Sequence, residues 1–177
     1  MVRLSPLLTI PLFAAPLSAQ VPEAAANVPL DAVRPLYMQV RGYVTRSAEQ
    51  MPEEQYGYRP TPEVRSFGEI LGHVINDHYS FCSAARDEEN PWTEDAEKLA
   101  TKAEIVRALE RSYAYCDGLY STMTPEELGR PTSAFRGQRN RLFPLVYNLS
   151  HDFEHYGNLI TYFRLNGMVP PSSQGGG

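Results

Sequence analysis

The chain has 177 residues, 42% hydrophobic and 21% charged, and carries a formal net charge of -5 at pH 7. That balance suits one globular domain with a sizeable core. An acidic chain with no basic stripe to neutralise phosphates is excluded as a nucleic-acid binder.

The first twenty residues, MVRLSPLLTIPLFAAPLSAQ, stand apart from the rest. Arg3 gives a short positive start, Leu4 to Leu17 an apolar run, and Ser18-Ala19-Gln20 a small-residue stretch fit for cleavage. The pattern predicts a secretory signal peptide over 1–20 and a mature domain over 21–177. The run is too short and too proline-rich for a stable membrane anchor. Losing residues 1–20 removes one arginine and no acid, which takes the charge from -5 to -6. The expected address is periplasmic or secreted.

After an Ala-rich lead-in, residues 31–50 place Val33, Leu36, Tyr37, Val40, Tyr43 and Val44 at helical spacing, with Asp31 as the expected N-cap. "MPEEQYGYRPTPEVRS" follows as an ordered loop. Ser66 with Glu69 forms a capping box for a second helix running to about Arg86, with Leu71, Val74, His78, Phe81 and Ala85 in its seam. An acidic connector, Asp87 to Ala100, leads to a second capping box, Thr101 with Glu104. The seam of the third helix is Ile105, Leu109, Ser112, Cys116 and Leu119. "TPEEL" is at most one helical turn, and Thr132–Phe135 is the best strand candidate in a polar loop. A fourth helix spans about Leu142 to Asn166, with Gly167 at the C-terminal cap and Pro170-Pro171 beyond it. Four helices of about five turns each predict an all-α four-helix bundle.

Cys82 and Cys116 either pair, as an oxidising compartment favours, or pack as two reduced core thiols. Each lies at a similar depth in its helix, roughly 23 Å from the start at ~1.5 Å per residue. Antiparallel neighbours would hold the sulfurs at opposite ends, whereas a disulfide needs Cα atoms within ~7 Å. Pairing therefore demands parallel second and third helices joined by a long crossover. The connector can reach ~45 Å when extended, enough to return along the bundle.

Two of the four histidines, His151 and His155, fall one turn apart on one face of the fourth helix. Such a pair either shares a divalent ion or sits polar at a core edge. A third ligand must come from another helix. His73, with Asp77 one turn on, is the better candidate, because His78 falls in the apolar seam and reads as a core histidine. "HDFEH" also matches the inverted zincin pattern, with Glu154 as base. That reading fails because nothing after His155 is acidic.

Two blocks, "RPTPEVRSFGEILGHVINDHYSFC" and "NLSHDFEHYGNLITYFRLNGMVPPSS", resemble the DinB/YfiT-like superfamily of small four-helix metalloproteins. The similarity spans roughly Asp31 to Ser173. It implies a divalent metal, zinc or nickel, held by His73, His151 and His155 with water completing the shell, and a crossover between the second and third helices. It also implies thiol-dependent transferase or hydrolase chemistry on low-molecular-weight substrates. Asp77 and Glu154 are the nearby carboxylates that could orient a ligand or act as general base; their alternative is solvated helix-face acids. Arg164 could meet an anionic substrate or simply complement its helix C-terminus. The expected function is a metal-dependent hydrolase of a small molecule, with a thiol-conjugate transferase or a non-catalytic binding protein as alternatives. A homodimer built on a bundle face is compatible with this fold.

Overall fold

A computed structural model describes residues 28–134 and 136–175. The expected signal peptide, the lead-in over 21–27 and Phe135 lie outside the described residues. Four long helices make a bundle: α1 (Val28–Gln50), α2 (Phe67–Arg86), α3 (Lys102–Thr122) and α5 (Leu142–Leu165). Between α3 and α5 come the single turn α4 (Pro125–Gly129) and an antiparallel hairpin, β1 (Pro131–Ala134) and β2 (Gly137–Asn140). The strand expected at Thr132 is thus one arm of a hairpin. Thr132 Oγ1 donates to Ala84 O at 2.6 Å, which docks it on the end of α2.

Local chemistry sets the ends of these helices. Ser66 with Glu69, Thr101 with Glu104, and Thr124 with Glu127 are reciprocal capping boxes at α2, α3 and α4. Each satisfies backbone donors that the first turn leaves open, and each cap is worth about 1 kcal/mol. At the other end of α5, Gly167 adopts φ +70, Gly167 N donates to Arg164 O and Met168 N to Phe163 O. That paired return suits a glycine in the left-handed region. One expectation is corrected: α1 begins at Val28, so Asp31 lies in its first turn and pairs with Arg34 instead of capping. The helix extends back because Leu30 is fully buried and continues the stripe of Tyr37, Val40 and Val44.

Cross-helix contacts give the topology. Between α2 and α3, His78 meets Ser112, Cys82 is bonded to Cys116 and Arg86 reaches Tyr115, so both helices run the same way. The disulfide closes with Cα atoms 5.5 Å apart. The parallel pair expected from the cysteines is therefore present. α2 and α5 are antiparallel, with Phe67 against Phe163 at one end and Phe81 against Tyr147 at the other. α1 runs antiparallel to α3, from Arg34 at Tyr120 to Lys102 at Met51. Stacking of Tyr43 on Tyr156 joins α1 to α5, leaving α1 and α2 diagonal.

The crossover from α2 to α3 packs along α2 rather than looping free. Asn76 Oδ1 accepts from Trp92 Nε1 at 3.1 Å and from Ala96 N at 2.9 Å. Trp92 stacks on Tyr79 with ring centres 5.0 Å apart. Gly72 lets the strand of crossover at Ala96 approach, since a Cβ there would lie 2.5 Å from Ala96 O. Among the described residues, no helix is long and apolar enough to cross a membrane.

Candidate metal centre

The antiparallel α2 and α5 present two helical pairs to one another. His73 and Asp77 are one turn apart on α2; His151 and His155 are one turn apart on α5. Their seams carry the bundle core, so these polar residues fall at its edge, in a cleft. Side-chain exposure is 21% for His73 and 11% for His151, and His155 is buried. One ligand atom from each of His73, His151 and His155 lies within 4.8 Å of the other two. The Nε2 atoms of His151 and His155 are 2.9 Å apart. Two imidazole nitrogens approach so closely only around a shared proton or a shared cation.

Asp77 Oδ2 lies 3.2 Å from His73 Nε2 and 3.1 Å from His151 Nε2. It borders the same space as the imidazole nitrogens. Burial raises its carboxyl above the usual range, partly offset by the histidines beside it. His151 and His155 are pushed down to about 4, first by burial and then by neighbouring positive charge. At neutral pH both rings are therefore uncharged, with lone pairs to offer. Three imidazoles converging from two rigid helices form a group that could hold a divalent metal ion.

Behind the ligands is a layer of partners. His73 Nδ1 is 3.2 Å from Glu97 Oε1, and Glu97 Oε2 accepts from Arg65 Nε at 3.0 Å. Glu97 on Nδ1 orients the ring, so that Nε2, which faces Asp77, is the nitrogen that would meet a cation. Asn158 lies 3.3 Å from His155 Nδ1 and can present its amide oxygen there by a half-turn of its last torsion. Deeper in the bundle, His78 Nε2 meets Asp152 Oδ1 at 2.9 Å, and His78 Nδ1 meets Ser112 Oγ at 2.8 Å.

Of the carboxylates singled out in the sequence, Asp77 is at the centre. Glu154 is exposed, makes no hydrogen bond to the three histidines among the described residues, and is felt by His151 only as a nearby charge. His78 is the buried core histidine expected of its seam. Arg164 turns to Ser173 Oγ at 3.2 Å, beside the end of its own helix. Sequence reasoning missed Glu97, because only the tertiary path of the crossover brings it to His73. It also missed Asp152, although a legible signal existed: Asp152 sits in the α5 stripe with Leu145, Leu149, Tyr156 and Leu159.

A cavity of about 690 Å³ adjoins His155, walled by Pro60, Val64, Arg65, Asn158 and Tyr162. Its volume is that of a small-molecule site. A family profile described as the DinB superfamily matches residues 36–159, a stretch holding all three histidines. The chain belongs to the DinB superfamily. YjoA, an uncharacterized protein of Bacillus subtilis, is 24% identical over 134 residues, covering 72% of this chain and 84% of that protein. The crystal structure of YjoA is similar at TM-score 0.61 and 21% identity, covering 84% of this chain and 99% of that one. A DinB-like protein from Bacillus cereus gives TM-score 0.66 at 16% identity, over 76% of this chain and 93% of that one. A mycothiol-dependent maleylpyruvate isomerase gives TM-score 0.62 at 12% identity, over 74% of this chain and 60% of that one. At these identities the likeness is one of fold, so the chemistry of this DinB chain rests on its own site.

Proposed function

We propose that this DinB protein is an exported metal-dependent hydrolase of a small-molecule substrate. The observation that carries the reading is the convergence of His73, His151 and His155 beside a cavity that His155 itself lines. A divalent ion bound by three histidines supplies a Lewis acid and lowers the pKa of water toward neutrality. The protein's own residues do the rest. Glu97 and Asn158 fix the ring orientations of His73 and His155. Asp77 Oδ2, held at the edge of the same space, is placed to accept a proton from an attacking water. Val64, Pro60 and the Tyr162 ring give the adjoining cavity an apolar wall on one side.

A thiol-conjugate transferase is the second reading, favoured by the shared fold with the mycothiol-dependent isomerase. Export weakens it, because reduced low-molecular-weight thiols are scarcer outside the cytoplasm. Support for export comes from the apolar N-terminal run and from the closed Cys82–Cys116 bond.

Metal analysis of the purified mature chain tests the site. Wild type is expected to hold one divalent ion per chain and a His151→Ala/His155→Ala variant none; equal metal in both sinks the reading. Ester, amide and thiol-conjugate substrates, offered to metal-stripped and metal-restored protein, then divide the chemistry. Turnover of the thiol conjugate alone selects the transferase, and turnover of none selects a binding protein.

A further inference from the structure

The cavity beside His155 has a wall chemistry that selects its occupant. One side is the loop 58–66, the other the second half of α5. The loop is fixed before any ligand arrives. Phe67 N donates to Tyr58 O at 3.0 Å, Arg59 grips both oxygens of Glu69 at 2.9 Å, and the Tyr162 hydroxyl donates to Arg65 O. A preorganised wall spends no affinity on ordering itself.

Apolar surface is left open here for a reason. Val64 is 41% exposed and stands with Pro60, Ile70 and the Tyr162 ring around the same space. The cation of the lining is Arg65. Its Nε is committed to Glu97 Oε2, and among the described residues its Nη groups donate no hydrogen bond. Its charge is close enough to His155 to help hold that ring neutral. The guanidinium is 43% exposed and belongs to the lining, so its Nη edge is free to meet a ligand in the cavity that His155 also lines. Glu63, the lining acid, engages Thr61 on its own loop.

We infer that this cavity binds a small carboxylic acid with an apolar arm, its carboxylate on the Nη edge of Arg65 and its arm against Val64, Pro60 and Tyr162. The geometry matches the preference of a guanidinium for bidentate carboxylate recognition. That this ligand is the substrate rests on the hydrolytic reading; that the cavity takes it does not.

Hexanoate, 1-hexanol and hexylamine serve as probes, titrated by calorimetry and NMR into the mature chain, both metal-free and zinc-loaded. Hexanoate is expected to bind both forms, shifting the resonances of Asn158, Thr161 and Tyr162, with the alcohol at least roughly tenfold weaker and the amine not bound. Arg65→Gln should lose hexanoate affinity by roughly tenfold or more and abolish the preference over hexanol. Thr161→Phe, a change at an exposed cavity position, should block hexanoate and hexanol while leaving the metal content unchanged. Hexanoate binding that needs zinc and ignores Arg65→Gln would overturn the inference, because the carboxylate would then be on the ion. Equal binding of acid and amine, or no binding of hexanoate to folded wild type, overturns it as well. A chain that takes no zinc yet binds hexanoate through Arg65 defeats the hydrolase reading and upholds this one.

Discussion

His78 Nε2 and Asp152 Oδ1 meet at 2.9 Å in the interior, with both side chains essentially excluded from solvent. Each is one residue along its helix from a group in the cleft: His78 follows Asp77 and Asp152 follows His151. The buried pair therefore clamps α2 to α5 directly behind the candidate centre. Ser112 Oγ lies 2.8 Å from His78 Nδ1 and 2.9 Å from Leu109 O, so both ring nitrogens of His78 have polar partners. Tyr113 Oη adds a longer bond to the second oxygen of Asp152.

Breaking that clamp leaves an unpartnered polar ring in a dry core. Asp152→Ala is expected to destabilise the protein by roughly 3–5 kcal/mol, measured by denaturant unfolding. Asp152→Asn keeps the shape and an acceptor and should cost less. Metal affinity should fall in the alanine variant even where the fold survives, because the α2–α5 spacing is no longer held. A change below about 1 kcal/mol in the alanine variant would show that the pair carries little of the packing.

The Cys82–Cys116 bond links positions separated by 34 residues. Closing a loop of that size restricts the unfolded chain by roughly 3.5–4 kcal/mol. Reduction, or Cys82→Ser with Cys116→Ser, should shift the urea midpoint accordingly. Masses under non-reducing and reducing conditions should differ by the hydrogens of two thiols. A free thiol on both cysteines of freshly purified protein would remove the bond.

The helices were legible because their signals are local. Ser66 with Glu69 and Thr101 with Glu104 announce their own starts, and each seam repeats at helical spacing. The cysteines gave the parallel α2–α3 pair, since their equal depth in two helices permits a bond in no other orientation. His73, His151 and His155 were legible because few histidines compete for the assignment. Glu97 and Arg65 were not. Neither lies on a long helix, and their place depends on how the crossover and the loop before α2 lie on the bundle. The start of α1 was missed because Asp31 resembles a cap, while the burial of Leu30 carries the helix past it.

Burial, and then neighbouring positive charge, pushes His151 and His155 down to about 4. Unfolded, each would titrate near 6.5. Between these values the unfolded chain binds more protons than the folded one, so the metal-free protein loses stability as pH falls from about 6.5 toward 4. Thermal unfolding of wild type across that range should show a drop that His151→Ala/His155→Ala flattens. His151 keeps some exposure, so its share of the drop is smaller than full burial would give. Parallel curves for the two proteins would deny the shifts.

Gly72 joins the fold to the site. A Cβ there would stand 2.5 Å from Ala96 O and 2.6 Å from Glu97 N, and both are backbone atoms with little room to yield. Gly72→Ala must push the crossover away from α2. The residue that moves with it is Glu97, which bridges His73 Nδ1 and Arg65 Nε. The expected cost in stability is roughly 1–3 kcal/mol, as for other overpacked positions. The informative comparison is with Glu97→Gln, which leaves the crossover in place and removes only the carboxylate charge. Loss of an outer partner of a ligating histidine typically weakens metal binding by about 10–100-fold. Both variants should therefore lose zinc affinity, and only Gly72→Ala should also unfold earlier in urea. If Gly72→Ala unfolds early yet keeps wild-type zinc affinity, Glu97 does not orient His73, and the crossover serves the core alone.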